Sequence, residues 1–323
     1  MLFDLPLEQL RDYRPEVAEP ADFEDFWRRQ LDHARSRDLA VAAVPVDTSL
    51  VGVQVFDVTF AGYGGDPVKA WLLLPRAAAP GAATVVEFVG YQGGRGDPLE
   101  WLTWSAAGHP HLVVDLRGQG GGWRSADTAD PSDDGSPSTR GFLTRGIGSP
   151  QNLYYTRAFV DAARAVEVAG TLAQLAGRRV LTTGGSQGGA LALAAAHLAA
   201  SGPVAVAACL PDVPFLSHIR RGTEVTDSHP YAEVAEYLKV HPDRVEAVFG
   251  TLAYVDVVNH AKRVDVPSLF SVGLADEITP PSTVFAAYNH YRGPKRIEVY
   301  SYNGHEGGGV VHLKAKLAFA RSL

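Results

Sequence analysis

The chain runs to 323 residues, 46% of them hydrophobic, enough to bury a sizeable core in one large domain or two small ones. Its net charge is −7 and it carries no basic run, which excludes a nucleic-acid partner held through clustered Lys and Arg. A single cysteine, Cys209, excludes an intrachain disulfide and a thiolate metal cage, and its apolar neighbours over 204–210 make it a buried strand residue.

Residues 1–6 lack the basic residues and long apolar core of a secretory signal, and no apolar run is long enough to span a bilayer. The expectation is a cytoplasmic protein with no membrane partner. Asp22 followed by Phe23, Phe26, Trp27 and Leu31 has helical spacing, and residues 1–50 read as a helical extension packed on the main body. Segments 51–60 and 68–74 alternate like the arms of a hairpin, with Gly62, Gly64, Gly65 and Asp66 between them. Short runs follow at 83–89, 111–116, 179–183, 204–210, 268–272 and 296–300, apolar on both faces as a central parallel sheet requires. Between them, Ser149-Pro150 predicts the cap and first turn of a helix that buries Phe159, Ala162, Ala163 and Val166. Segments 190–198 and 283–291 read as helices too. This alternation predicts a doubly wound, mostly parallel α/β sheet with helices on both faces, in one domain over 1–323.

Two stretches break the rhythm. Residues 118–145, after the fourth core strand, are rich in Gly, Ser, Asp and Pro, and a loop of that length predicts a lid or a subunit contact. Residues 211–266 separate two core strands and carry helical patterns at 231–238 and 244–249, so they are a candidate cap.

Gly184-Gly185-Ser186-Gln187-Gly188 matches the G-x-S-x-G elbow that presents a nucleophilic serine. Five residues alone are a weak signal, and the bland alternative is a glycine-rich turn with a capping serine. The context favours the elbow: an apolar strand runs into it and an Ala/Leu-rich helix leaves it. A serine hydroxyl needs a base, and in this arrangement the acid and then the histidine follow, each just after a core strand. His305 follows the strand at 296–300. His109, His111, His197, His218, His229, His241 and His312 lie at a strand start, within helices or in the cap. Asp276 follows the strand at 268–272 and is placed to orient the imidazole. Glu277 is its local rival, and Asp265 lies at the wrong end of the strand. The oxyanion donors would be the backbone N–H of Gln187 and that of Tyr91, in the glycine-rich loop after the strand at 83–89. No metal-ligand spacing stands out, residues 118–122 lack the Lys-Ser/Thr of a phosphate loop, and no cofactor is expected.

Arg117-Gly118-Gln119-Gly120, then Gly184-Gly185-Ser186-Gln187-Gly188, then His305-Glu306 stand in order. With Asp276 in its Gly-Leu-Ala-Asp loop and Tyr91 in Gly-Tyr-Gln-Gly-Gly, the chain resembles carbohydrate esterase family seven over nearly its whole length. That family comprises acetyl xylan esterases and cephalosporin C deacetylases of the α/β-hydrolase fold. The resemblance implies deacetylation of acetylated xylo-oligosaccharides and cephalosporin C, with short acyl groups preferred. It also implies a homohexamer, a dimer of trimers whose active sites face an internal cavity, with residues 123–145 as an intersubunit element. Arg117, Gln119 and Glu306 read as structural, since an arginine's several donors suit it to tying loops together.

The expected chemistry is acyl transfer through an acetyl-serine at Ser186, with His305 as base, Asp276 as its orienter, and Tyr91 and Gln187 holding the oxyanion. A serine peptidase or lactone hydrolase on the same fold is the nearest alternative. A catalytically silent scaffold for acylated ligands is the other, and an intact Ser, Asp and His argue against it.

Overall fold

The structure is a computed structural model that describes residues 3–131 and 140–323. Helix α1 (Leu7–Asp12) leads into α2 (Phe23–Arg35), which buries Phe23, Phe26, Trp27 and Leu31 as their spacing demands. Strand β1 (Ala42–Val46) then pairs antiparallel with β2 (Val53–Ala61), and β2 with β3 (Pro67–Pro75). The reading of residues 1–50 as a wholly helical extension is therefore corrected. β1 is an edge strand with no fully buried residue, and Pro45 inside its short apolar run argues against a strand there.

β4 (Thr84–Phe88), α3 (Leu102–Ala106), β5 (His111–Val114) and α4 (Tyr154–Thr171) follow, then β6 (Val180–Gly185), α5 (Gln187–Leu198) and β7 (Val206–Asp212). Four helices fill the interval before the next strand: α6 (Ile219–Val225), α7 (Ala232–Val240), α8 (Val245–Leu252) and α9 (Val257–Ala261). The chain closes with β8 (Ser268–Gly273), α10 (Pro281–His290), β9 (Lys295–Tyr300) and α11 (Gly309–Ser322). Among the described residues these make one sheet ordered β1-β2-β3-β5-β4-β6-β7-β8-β9, parallel from β5 to β9. From β4 the chain goes to β5 on one side and β6 on the other, so the strand order reverses there and opens a crevice at the carboxyl ends.

Helices cover both faces. α4 and α5 pack with α2 and α9 in the larger apolar cluster, while α3 and α11 supply Trp104 and Ala320 to a smaller one. Helix α5 is apolar all round because it is enclosed on every side. Cys209 is buried in β7, where burial pushes its thiol up to about 12. One predicted helix start is corrected: α4 begins at Tyr154 behind Leu153, not at Ser149-Pro150. The Ser149 carbonyl accepts the Asn152 amide in a turn before the helix, and the Pro150 carbonyl accepts the Thr156 hydroxyl. Of the loop expected to make subunit contacts, residues 132–139 lie outside the described residues; Thr128 and Asp130 tuck into the body. Among the described residues no helix is long and apolar enough to cross a membrane.

Candidate active site

The crevice is set by how β6 turns into α5. Ser186 sits between them at φ 57°, ψ −119°, a left-handed conformation that a residue with a Cβ holds only when its surroundings impose it. The Ser186 amide donates to the Asp212 carbonyl (2.9 Å), and the Phe215 amide to the Ser186 carbonyl (3.0 Å). Close packing finishes the turn: a Cβ on Gly188 would stand 2.1 Å from the Phe88 carbonyl oxygen. Only glycine lets helix and strand approach this closely.

Asp276 and His305 come from the loops after β8 and β9. His305 Nδ1 donates to Asp276 Oδ2 at 2.9 Å; the carboxyl is fully buried and the imidazole side chain 29% exposed. Asp276 Oδ1 also accepts the amides of Ile278 and Thr279, and Oδ2 accepts the Thr279 hydroxyl at 2.7 Å. The carboxylate is thus saturated with donors, which fixes its position and leaves one oxygen turned to the ring. Thr279 Oγ1 lies 3.3 Å from His305 Nδ1, so it steadies both partners. Glu277, the local rival, does not line the cavity.

Ser186 and His305 line one cavity of about 500 Å³, together with Tyr91 and Gln92. Glu87, Asp212, Glu306, Trp101 and Trp123 line the same cavity. The Trp123 indole donates to the Tyr91 carbonyl (2.8 Å), bracing the Tyr91 turn from the mouth. Gln187 supplies the first amide of α5, which a helix leaves without an internal acceptor. From the segment 211–266, His229 and Pro230 reach the cavity wall. Glu306 stays beside His305, held below the usual carboxylate range by the Asn303 side-chain amide and then the backbone of its own turn.

The sequence profile of the acetyl xylan esterases, AXE1, matches residues 1–323. The chain belongs to the acetyl xylan esterase family. An acetyl xylan esterase from Paenibacillus sp. R4 is 35% identical, with 98% of this chain and 99% of that one covered at a TM-score of 0.89. Acetyl Xylan Esterase 1 from Thermoanaerobacterium sp. JW/SL YS485 is 32% identical over 98% and 99% of the two chains, with a TM-score of 0.86. The fold is therefore that of the α/β-hydrolase esterases. Acetyl esterase Axe7A of Xylanibacter ruminicola is 27% identical over 308 residues, 90% of this chain; the chain spans 65% of that relative's length.

The Arg117-Gly-Gln119 element has a clear physical task here. Gln119 Oε1 accepts the Gln92 amide (2.7 Å), and its Nε2 donates to Gln187 Oε1 (2.8 Å) and to the Tyr154 hydroxyl (2.9 Å). One buried amide group thus ties the Tyr91 turn to the start of α5. Arg117, 1% exposed, forks onto Asp161 through Nε (2.6 Å) and Nη2 (2.9 Å) and reaches Asp66 at 3.1 Å and Asp130 at 3.5 Å. These bonds are the ties the sequence suggested, with partners it did not name. Sequence reasoning also missed Glu233 of α7, which accepts the Tyr91 hydroxyl and the Gly141 and Leu143 amides. A polar residue on a predicted cap helix gave no signal for it. Among the described residues no group of His, Cys, Asp and Glu is arranged to hold a metal ion.

Proposed function

We propose that this protein is a serine esterase that removes acetyl groups from acetylated xylo-oligosaccharides, cephalosporin C and other small acetate esters through an acetyl-Ser186 intermediate. The observation that carries this reading is one cavity holding Ser186 in its strained turn beside a His305 ring oriented by buried Asp276. His305 Nε2 takes the hydroxyl proton as Ser186 Oγ attacks the acetyl carbon, and the tetrahedral oxyanion faces the Tyr91 and Gln187 amides. The C–O bond to the alcohol then breaks, and the alcohol leaves with the proton from His305. Water, deprotonated by the same imidazole, attacks the acetyl-serine, and acetate departs as the proton returns to Ser186. Asp276 orients the ring and stabilises the imidazolium.

The cavity wall supports a sugar alcohol. Glu87, Asp212 and Glu306 offer acceptors to hydroxyl groups, and Trp101 and Trp123 offer flat apolar surface to a pyranose ring. The reading includes six chains enclosing the cavities and a cytoplasmic location; a single-chain mass by light scattering would remove the assembly from it.

Fluorophosphonate labelling mapped by mass spectrometry tests the nucleophile: the expected adduct is on Ser186, and Ser186→Ala abolishes both the adduct and hydrolysis of acetylated xylotetraose. Undiminished hydrolysis in that variant sinks the mechanism. Among 4-nitrophenyl esters the acetate is expected to be turned over fastest, and a preference for octanoate overturns the deacetylase reading.

A further inference from the structure

Helix α11 places His312 and Lys316 one turn apart on the same face. Both are almost completely buried, at 2% and 4% exposure, and neither lines the cavity. Both reach Asp212 at the end of β7: His312 Nε2 meets Oδ1 at 3.0 Å and Lys316 Nζ meets Oδ2 at 2.6 Å. The same Asp212 lends its carbonyl to the Ser186 amide. Lys316 and His312 together hold the Asp212 carboxyl below its ordinary range although burial opposes this.

The other ring nitrogen of His312 points elsewhere. Nδ1 lies 3.2 Å from the hydroxyl of Tyr300, the last residue of β9, with the two rings edge to face. A carboxylate can only accept, so Nε2 carries the proton and Nδ1 accepts from the tyrosine. Tyr300 roots two further loops: its carbonyl accepts the Leu274 amide (3.0 Å), next to the Asp276 turn, and the Asn303 amide (3.4 Å), next to the His305 turn. One imidazole therefore joins the strand end that holds Ser186 to the strand end from which the His305 and Asp276 loops are hung.

We propose that His312 is a positioning residue, a clasp that sets the distance between Ser186 and His305, with Lys316 anchoring its Asp212 end. The proposal rests on the reading of Ser186 as nucleophile and His305 as base. Proton transfer between them needs heavy atoms within about 2.6–3.2 Å, and a misplacement of about 1 Å costs on the order of 100-fold. Loosening the clasp therefore lowers kcat and, for an aryl acetate with no sugar hydroxyl to meet Asp212 on the cavity wall, leaves KM nearly alone.

The test compares His312→Ala, His312→Gln and Tyr300→Phe with the wild type on 4-nitrophenyl acetate, counting competent sites by fluorophosphonate titration. The expected result is a loss of about 10–100-fold in kcat per titrated site for His312→Ala, with KM changed by less than about 3-fold. The rate of labelling falls in step. His312→Gln, which keeps a donor and an acceptor, recovers part of the rate, and Tyr300→Phe loses about 3–10-fold. Wild-type kcat per titrated site in His312→Ala and Tyr300→Phe, whatever fraction titrates, overturns the clasp and leaves His312 a fold-stabilising residue. Should His312→Ala yield no competent sites, Tyr300→Phe decides alone. Label on a residue other than Ser186 removes the underlying reading, whereas label on Ser186 with unchanged kcat removes the clasp only.

Discussion

Replacing Gln119 by Leu tests whether the oxyanion donors are held in place by a side chain that never meets the substrate. The side chain is 1% exposed and its orientation is fixed, because the Gln92 amide can only donate and must therefore face Oε1. Leucine preserves the bulk but leaves the Gln92 N–H without its acceptor, while the Gln187 side-chain N–H keeps the Val89 carbonyl (3.4 Å). Tyr154 still donates to the Arg117 carbonyl (2.8 Å), and Gln187 Oε1 still receives the Tyr155 hydroxyl (2.8 Å), so those groups lose little. One N–H left unpaired costs about 1–3 kcal/mol, so the variant loses about that much stability. In a chain of this size that lowers the midpoint of thermal unfolding by on the order of 2–5 °C. Deleting an oxyanion donor costs on the order of 10²–10³-fold in kcat; the Tyr91 amide is displaced here rather than deleted, which places the loss at about 10–100-fold. KM for a small aryl acetate should hold, since Gln119 is absent from the cavity wall. Steady-state kinetics on the folded fraction, with calorimetry beside them, measure both effects. A variant that unfolds early but turns over at the wild-type rate would refute the link between Gln119 and the Tyr91 amide.

Asp276→Asn should lower kcat by about 10³–10⁴-fold with little change in KM, because the amide no longer selects the tautomer that leaves His305 Nε2 free. Thr279→Val, which removes one donor to Asp276 and the contact to His305, should cost about 3–10-fold in kcat; equal effects of the two changes would contradict their assigned roles. Glu233→Gln sets a side-chain N–H against the Tyr91 hydroxyl and Gly141 amide or against the Leu143 amide, so it should destabilise by about 1–3 kcal/mol. Limited proteolysis at 140–143 reads this out, and unchanged cleavage speaks against it. His197 and His260 meet Nδ1 to Nδ1 at 3.0 Å; burial lowers His197 to about 4, and burial followed by His197 lowers His260 well below its ordinary value. Both bind protons more readily unfolded than folded. Stability is therefore whole above the unfolded value near 6.5 and drains as pH falls towards about 4, by about 1.4 kcal/mol per pH unit for each fully neutral ring. Asp256, raised by burial to about 6, works in the opposite direction between its unfolded value near 4 and about 6. The comparison is accordingly with His260→Phe, whose unfolding midpoint should fall less steeply than the wild type's from pH 7 to 5, because His197 and His218, the latter also lowered by burial to about 4, still contribute; identical slopes would show that His260 is not responsible.

The features legible in the sequence were those that depend on near neighbours. A strand with both faces buried is largely apolar, so β4 to β8 announce themselves even with Thr182, Thr183 and Ser271 among their buried residues. Edge strand β1 is only partly buried, through Ala43 and Val46, and Pro45 within it speaks locally against a strand. The Ser186 elbow could be read because its demands are local, glycine at fixed offsets between strand and helix. Asp276 and His305 could be read because each closes a strand. Nothing local names Thr279, Glu233 or the three carboxylates around Arg117, which come from a helix and two loops and become partners only when the chain is folded. Their necessity, though not their identity, follows from the motifs. A guanidinium as deeply buried as that of Arg117 requires acceptors. A nucleophile held at positive φ likewise requires bonds on both sides to keep it there. A motif thus fixes which groups must be satisfied, and the fold chooses among distant residues to satisfy them. This is why the donors of this site were visible in the sequence while most of their acceptors were not.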